Sequence, residues 1–361
     1  MKTELRALTS ARGVAAWLVV LFHIRLSLPA LPGTVGAVLD KGYLAVDFFF
    51  LLSGFVIWMS WSERLRGGGA TAIPEFIRRR IARIWPLHLV MLGFGLCLAL
   101  AMQATGRETP QFPLPELPLH VLLLQNWGLT PELAWNDPAW SISCELAAYL
   151  LFPLLVLTID WRRVPTPAIL AAMAALLILL HVILTGYGAR ILGEQIPRFG
   201  LIRCILEFAC GTAIGALWLR WRAQWRAPAT LAFALSALLF GGWIAGPLPE
   251  TLAVPAAFAV LLLALALTAG RPHNWLEIAP LHYLGEISYA TYLSHFLLWF
   301  AFKLVFVSDP HAVGWPLIAS YLALVLASSA ALYHAIERPA QHWLNRLSFR
   351  RSRRVPTAGS R

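Results

Sequence analysis

The sequence predicts an all-α polytopic membrane protein, a bundle of about ten transmembrane helices with both termini on the cytoplasmic side. Three observations carry this reading. Hydrophobic residues make up 59% of the 361 positions and charged residues 13%, too few charges to cover a water-soluble globule of this size. Apolar stretches of roughly 17–25 residues, enough to cross a bilayer, recur near 12–30, 42–62, 83–104, 141–159, 167–187, 201–219, 229–246, 253–270, 283–306 and 315–335. Lysine and arginine alternate between the loops that join these stretches, as the positive-inside rule requires. The mean hydropathy of +0.67 and the 16 Trp, whose indoles suit the headgroup region, agree.

The first stretch holds His23 in its interior and runs past Arg25, so it is a retained span and not a cleaved signal peptide. With Lys2, Arg6 and Arg12 inside, the cytoplasmic segments carry Arg64, Arg66, Arg78, Arg79, Arg80 and Arg83, then Arg162 and Arg163, then Arg220, Arg222 and Arg226, then Arg271. The C-terminal end adds Arg338, Arg346 and five further arginines, whereas the opposite side holds Lys41, Arg107, Arg190 and Arg198. One helix more or fewer would scramble this alternation. The apolar piece at 119–129 is too short to cross and is expected to be re-entrant or interfacial. Residues 1–343 form one transmembrane domain, and 344–361 form a basic cytoplasmic tail expected to be disordered and drawn to anionic lipid.

The net charge of +11 lies in short clusters between apolar runs and makes no continuous basic face, which argues against nucleic acid as a partner. Cys97, Cys144, Cys204 and Cys210 all fall inside apolar segments without a C-x-x-C pair, so neither a disulfide framework nor a metal site is expected.

An ionisable residue inside a span is costly unless paired or hydrated, and is a functional candidate for that reason. Arg12 and His23 are 11 residues apart, which returns them to within roughly 20° of one helix face and separates them by about 16 Å. Arg12 then sits at the cytoplasmic surface and His23 near mid-bilayer. Helix physics alone leaves two readings open: a topogenic arginine with a histidine hydrogen-bonded to a neighbouring helix, or a functional pair. Asp47 lies inside the outer boundary of the second span. Glu145 and Tyr149 are i,i+4 partners, with Ser141 one turn before Glu145. Arg203 and Glu207 share the same spacing, and an internal salt bridge joining helices is expected there. Ser288, Tyr292 and His295 form one polar stripe. Arg80 and Arg83 share a face just before the third span, where paired guanidinium groups could grip phosphates. His120 and Asp137 read as solvated residues of the long outer loop.

Six segments then occur in a telling order. Arg12 and His23 form an R-x10-H pair; residues 42–55, with Asp47 and Ser53, read G-x-x-x-V-D-x-F-F-x-x-S-G-F. Arg79, Arg80, Arg83, Ile84 and Pro86 make R-R-x-x-R-I-x-P; residues 140–153 read W-S-x-S-x-E-x-x-x-Y-L-L-F-P; residues 287–295 read I-S-Y-x-x-Y-L-x-H; and Glu337, Arg338 and Pro339 come last. In these the chain resembles, along nearly its whole length, the acyltransferase-3 family of bacterial integral-membrane O-acyltransferases, in the form without a fused extracytoplasmic hydrolase-like domain. Leu146 stands where many members carry a second Glu, and His88 where Tyr is common.

The resemblance implies transfer of an acyl group, most often acetyl from acetyl-CoA or another acyl-CoA, to a hydroxyl of a carbohydrate or glycolipid such as a surface polysaccharide or lipopolysaccharide, in the cell inner membrane and without a metal. It implies that Arg12, Arg80 and Arg83 receive the CoA phosphates, and that His23, Asp47, Glu145 and His295 form the catalytic group at mid-depth or toward the outer side. His23 would act as general base on the acceptor hydroxyl or carry the acyl group transiently. Asp47 or Glu145 would orient an imidazole or bind the acceptor. Ser53, Ser143, Tyr149, Arg203, Glu207 and Tyr292 are supporting residues. Two alternatives are a small natural product, such as a macrolide, as acceptor, and a transporter or flippase using a proton relay, against which the ordered motifs and the lack of an inverted repeat stand.

Overall fold

Backbone N–H and C=O groups in a bilayer have no water to bond, so a chain this apolar must satisfy them within its own helices or a closed barrel. A computed structural model describes residues 5–28, 31–309 and 313–346, and all regular structure among them is helical. The α-helices are α1 (Arg6–Ile24), α2 (Gly33–Asp40), α3 (Ala45–Gly68), α4 (Ile73–Ala104), α5 (Leu117–Leu122), α6 (Ala139–Thr158), α7 (Thr166–Gly186), α8 (Ile196–Trp221), α9 (Arg226–Ile244), α10 (Glu250–Thr268), α11 (Ala279–Glu286), α12 (Ser288–Phe306), α13 (Trp315–Leu332) and α14 (Arg338–Arg346).

Nine stretches among the described residues are long and apolar enough to cross a membrane. The stretch Gly33–Ala104 contains both α3 and α4, separated by the 3-10 turn Gly69–Ala72, so each of the ten sequence-predicted spans has its own long helix. Three boundaries differ from expectation. The span near 283–306 is broken at Ile287, where α11 gives way to α12. Only Leu117–Leu122 of the short loop piece is helical; the chain beyond it folds inward, with Leu123 in the left-handed region at φ 56° and fully buried. Helix α14 carries order to Arg346, three residues past the expected domain end, and the rest of the tail lies outside the described residues.

The centre of the bundle is the crossing of α3 with α8. A Cβ on Gly54 would lie 2.0 Å from the Phe208 carbonyl oxygen, and one on Gly211 would lie 2.0 Å from that of Leu51. Only hydrogen fits at either place, so the two backbones approach as small-residue contacts allow in membranes. Seven residues before Gly54, Asp47 is fully buried and accepts two hydrogen bonds of 2.6 Å from the Arg203 guanidinium of α8. Arg203 also donates to the Leu192 carbonyl at 2.8 Å. The internal salt bridge expected to join helices at Arg203 is therefore present, with Asp47 of α3 and not Glu207 as its carboxylate. A planar guanidinium matches a carboxylate across the gap better than one on its own helix.

The loop between α4 and α6, expected on the outer side, is tied to the helices it caps. Asn136 donates to the Leu293 carbonyl at 2.8 Å, Trp135 to that of Pro113 at 3.1 Å, and His88 of α4 to that of His120 at 2.7 Å. His120, expected to be solvated, is 3% exposed, and burial holds its imidazole down to about 4 and hence neutral at pH 7.

Removing one member of the central pair leaves the other charge buried alone. Arg203→Met is expected to destabilise the protein by about 3–5 kcal/mol. The double variant Asp47→Asn/Arg203→Met should recover most of that loss in thermal melts of the detergent-solubilised protein. A double variant no more stable than Arg203→Met would show that the pair is not the source.

Candidate active site

Helices α1 and α12 run side by side from the arginine-rich face of the bundle toward the opposite face, and their polar residues meet in register. Ser288 at the start of α12 meets Arg12, whose Nε donates to Ser288 Oγ at 2.9 Å while Nη2 donates to the Gly285 carbonyl at 2.7 Å. Further along α12, His295 meets His23 at 3.2 Å between ring nitrogens. Tyr292 lies between the two meetings.

At the arginine end is a cavity of about 170 Å³, lined by Arg12, Arg80, Arg83, Ser53, Glu145 and Tyr149 with Ser141, Ser288, Tyr289 and Tyr292. Arg83 forms an ion pair with Glu337, which a π-turn over Tyr333–Glu337 presents to it. Neither Arg12 nor Arg80 has a carboxylate within ion-pair distance among the described residues. Arg80 instead faces the rings of Phe76 and Tyr149, at 6.0 and 5.9 Å. Glu145, on the arginine side of the cavity, accepts a hydrogen bond from Ser53. The cavity thus carries two guanidinium charges unmatched by ion-paired carboxylates, and burying such charges is costly without an anion.

On the other side is a larger cavity of about 600 Å³, lined by His23, Asp137, Trp140, Arg203 and Tyr292 among others. His23 Nδ1 lies 2.8 Å from the Val19 carbonyl, and His295 Nδ1 lies 3.1 Å from that of Thr291. A carbonyl only accepts, so each Nδ1 carries the hydrogen. His295 Nε2 is then an acceptor facing His23 Nδ1–H, and His23 Nε2 keeps its lone pair for another proton. Tyr321 donates to the His295 carbonyl at 2.9 Å and buttresses that turn.

Tyr292 lines both cavities. Its hydroxyl shares a 2.8 Å hydrogen bond with Ser141 and lies 3.2 Å from the Pro138 carbonyl, which accepts from it. Phe49 packs edge-on against its ring at 5.6 Å.

The structure divides the expected catalytic group. His23 and His295 are together, but neither carboxylate orients an imidazole: Asp47 is held by Arg203, and Glu145 lies with Arg12 in the first cavity. Carbonyls set both imidazole tautomers instead. Tyr149 and Ser53 line the first cavity as supporting residues. Ser143 does not reach it; its hydroxyl donates to the Leu123 carbonyl and accepts from the Asn126 N–H, tying the outer loop to α6. Glu207 is fully buried, and its two carboxyl oxygens make no hydrogen bond among the described residues.

Among the lining residues that sequence reasoning left out of the site are Ser141, Ser288 and Asp137. Ser141 was legible as the residue one turn before Glu145, and Ser288 as the head of the polar stripe. Asp137 carries no signal, because a loop carboxylate reads as solvated until the fold turns it inward. It lines the second cavity beside His23, and burial pushes its carboxyl up to about 6.

A protein-family model described as an acyltransferase domain matches residues 5–334 of this chain. The chain is 33% identical over 377 residues to the acyltransferase MdmB of Streptomyces mycarofaciens, covering 95% of this chain and 93% of the relative. It is 29% identical over 315 residues to the exopolysaccharide production protein ExoZ of Rhizobium meliloti, covering 82% and 89%. The O-acetyltransferase OatA of Staphylococcus aureus is 23% identical over 83% of this chain and 53% of its own length. No solved structure matches.

Because the folded-state carboxyl of Asp137 titrates above its ordinary range, its ionised form destabilises the fold. That cost is absent at low pH and is complete once the pH has risen through about 6. Asp137→Asn is therefore expected to melt about 2–4 °C higher than the unsubstituted protein at pH 8, with the difference fading toward pH 4.5. A pH-independent difference would remove titration as its cause.

Proposed function

The chain belongs to the acyltransferase-3 family and is a multi-pass membrane acyltransferase, and from that premise we propose that it moves an acetyl group from cytoplasmic acetyl-CoA to a carbohydrate hydroxyl on the other side of the inner membrane. The observation that carries this reading is the pair of cavities meeting at Tyr292, one offering unpaired guanidinium groups and the other an imidazole with a free lone pair. Donor and acceptor of a cross-membrane transfer need such separate entrances and one shared wall.

The excess of arginine on loops of the Arg12 side marks that face as cytoplasmic. Arg12 and Arg80 hold phosphate oxygens there, with Arg83 braced against Glu337 beside them. His23 Nε2 takes the proton of the acceptor hydroxyl as its oxygen attacks the thioester carbonyl carbon. The C–S bond then breaks, and the CoA thiolate leaves and is protonated by the imidazolium. His295 accepts from His23 Nδ1–H and steadies the positive charge that develops on that ring. Kinship with a protein named for exopolysaccharide production and with one named as an O-acetyltransferase supports a carbohydrate acceptor and an acetyl donor.

Purified protein in nanodiscs with radiolabelled acetyl-CoA tests this reading. CoA release stimulated by a glycan acceptor is expected, and His23→Ala, inserted normally, should lower it at least about 100-fold. Arg80→Ala should raise KM for acetyl-CoA about tenfold, equivalent to about 1.4 kcal/mol, with a smaller change in kcat. Full transfer by His23→Ala would overturn the general-base role, and acceptor movement without CoA release would point to transport.

A further inference from the structure

The charged residues that line the cavity holding His23 are Arg25, Asp40, Lys41, Asp137 and Arg203. Each cation among them is matched by a carboxylate. Arg25 pairs with Asp40 at 2.7 Å, Lys41 with the buried Glu250 at 2.7 Å, and Arg203 with the buried Asp47 at 2.6 Å. Asp137 is different: its carboxylate has no ion pair and no hydrogen bond among the described residues. The wall beside the base therefore presents a negative charge that nothing on the protein meets.

The bland role for a carboxylate just before a helix is to cap it. Asp137 does not. The first N–H groups of α6, on Ala139, Trp140 and Ser141, are taken by the backbone carbonyls of Asn136, Asp137 and Pro138 at 2.8, 3.1 and 3.3 Å. The preceding loop turns Asp137 inward instead. Trp135 is 2% exposed and has φ 63°, a left-handed backbone that a bulky residue adopts only under constraint. Beside it, Asn136 donates to the Leu293 carbonyl at 2.8 Å and fixes the loop to α12. Asp137 follows at once. Burial without a partner raises its carboxyl to about 6, so at pH 7 the ion is present at a cost to the fold. A cation brought into the cavity would remove that cost.

We propose that Asp137 selects an amino-sugar acceptor, pairing with its ammonium group while a neighbouring hydroxyl of the same sugar faces His23 Nε2. This rests on the acyltransferase reading above and narrows the acceptor from carbohydrates in general to those that carry a basic nitrogen. A cavity of about 600 Å³ has room for a sugar between the two residues. The pattern of matched charges favours an ammonium over a second hydroxyl. A hydroxyl would occupy one lone pair of the carboxylate and leave its charge unmatched. The pairing also determines which atom is acylated. An ammonium has no lone pair, so the nitrogen, the stronger nucleophile when free, is held out of reaction and the hydroxyl beside His23 attacks.

The test uses the full-length protein in phosphatidylcholine nanodiscs at pH 7, without acyl-CoA. Exposed Cys97 is replaced by Ser, and Ile191→Cys places a thiol in the cavity wall, with Leu133→Cys as a second reporter position. Maleimide labelling of that thiol is measured against the β-1,4 disaccharide of glucosamine, its N-acetylated form and cellobiose, which share a ring framework and differ at C2. The glucosamine disaccharide is expected to protect the thiol saturably, at concentrations at least about tenfold lower than either neutral sugar needs. Asp137→Asn should erase that advantage and leave protection by the neutral sugars unchanged, which a merely structural role would not do. Asp137→Glu should restore part of the advantage. Equal protection by all three sugars, protection by none of them, or an advantage that survives in Asp137→Asn each overturns the proposal. Labelling needs no donor, so failure of acetyl transfer leaves this readout intact and the two readings fail separately.

Discussion

A buried bidentate ion pair between two membrane-spanning helices constrains everything around it, because neither charge can be left alone in an apolar interior. Asp47 and Arg203 hold α3 and α8 at one register, and Gly54 and Gly211 let the two backbones touch immediately below. Once that crossing is set, α3 presents Ser53 and Phe49 toward α6 and α12, where they meet Glu145 and Tyr292. The pair also places Arg203 in the wall of the His23 cavity while keeping its charge committed. Asp47, expected to orient an imidazole or bind the acceptor, is held by Arg203 and so helps to shape the wall of that cavity.

The second organising feature is the parallel course of α1 and α12. Each carries a polar residue at the arginine end and a histidine further along, and the helices touch at both levels. Carbonyls of Val19 and Thr291, one turn back on the same helices, dictate where each imidazole keeps its hydrogen. Backbone geometry therefore supplies the orientation that a carboxylate supplies in many general-base sites. Tyr292, one turn before His295, becomes the wall between the two chambers because it lies midway along that contact.

The outer loop shows how far a fold departs from a hydropathy profile. His120, Asn126 and Asn136 are polar residues in a loop, yet all are buried, each tied to a helix by hydrogen bonds with backbone or side-chain partners. Such a loop closes the far end of the bundle and brings Asp137 toward His23. Ser143, within a polar motif of α6, anchors that loop through the Leu123 carbonyl and the Asn126 N–H.

By itself the sequence determined the membrane class and the ten spans, and it fixed the order of the charged residues along each helix, because a hydrocarbon layer about 30 Å thick and a rise of about 1.5 Å per residue leave little freedom along a helix axis. It also determined, through its ordered motifs, the family. Only the tertiary structure decided which residues share a chamber: that Arg203 belongs to Asp47 and not to Glu207, and that Glu145 lies with the arginines and not with His23. Position along a helix is a property of that helix alone and is written in its spacing. Partnership depends on how helices rotate and approach one another, and that is set by the packing of the whole bundle.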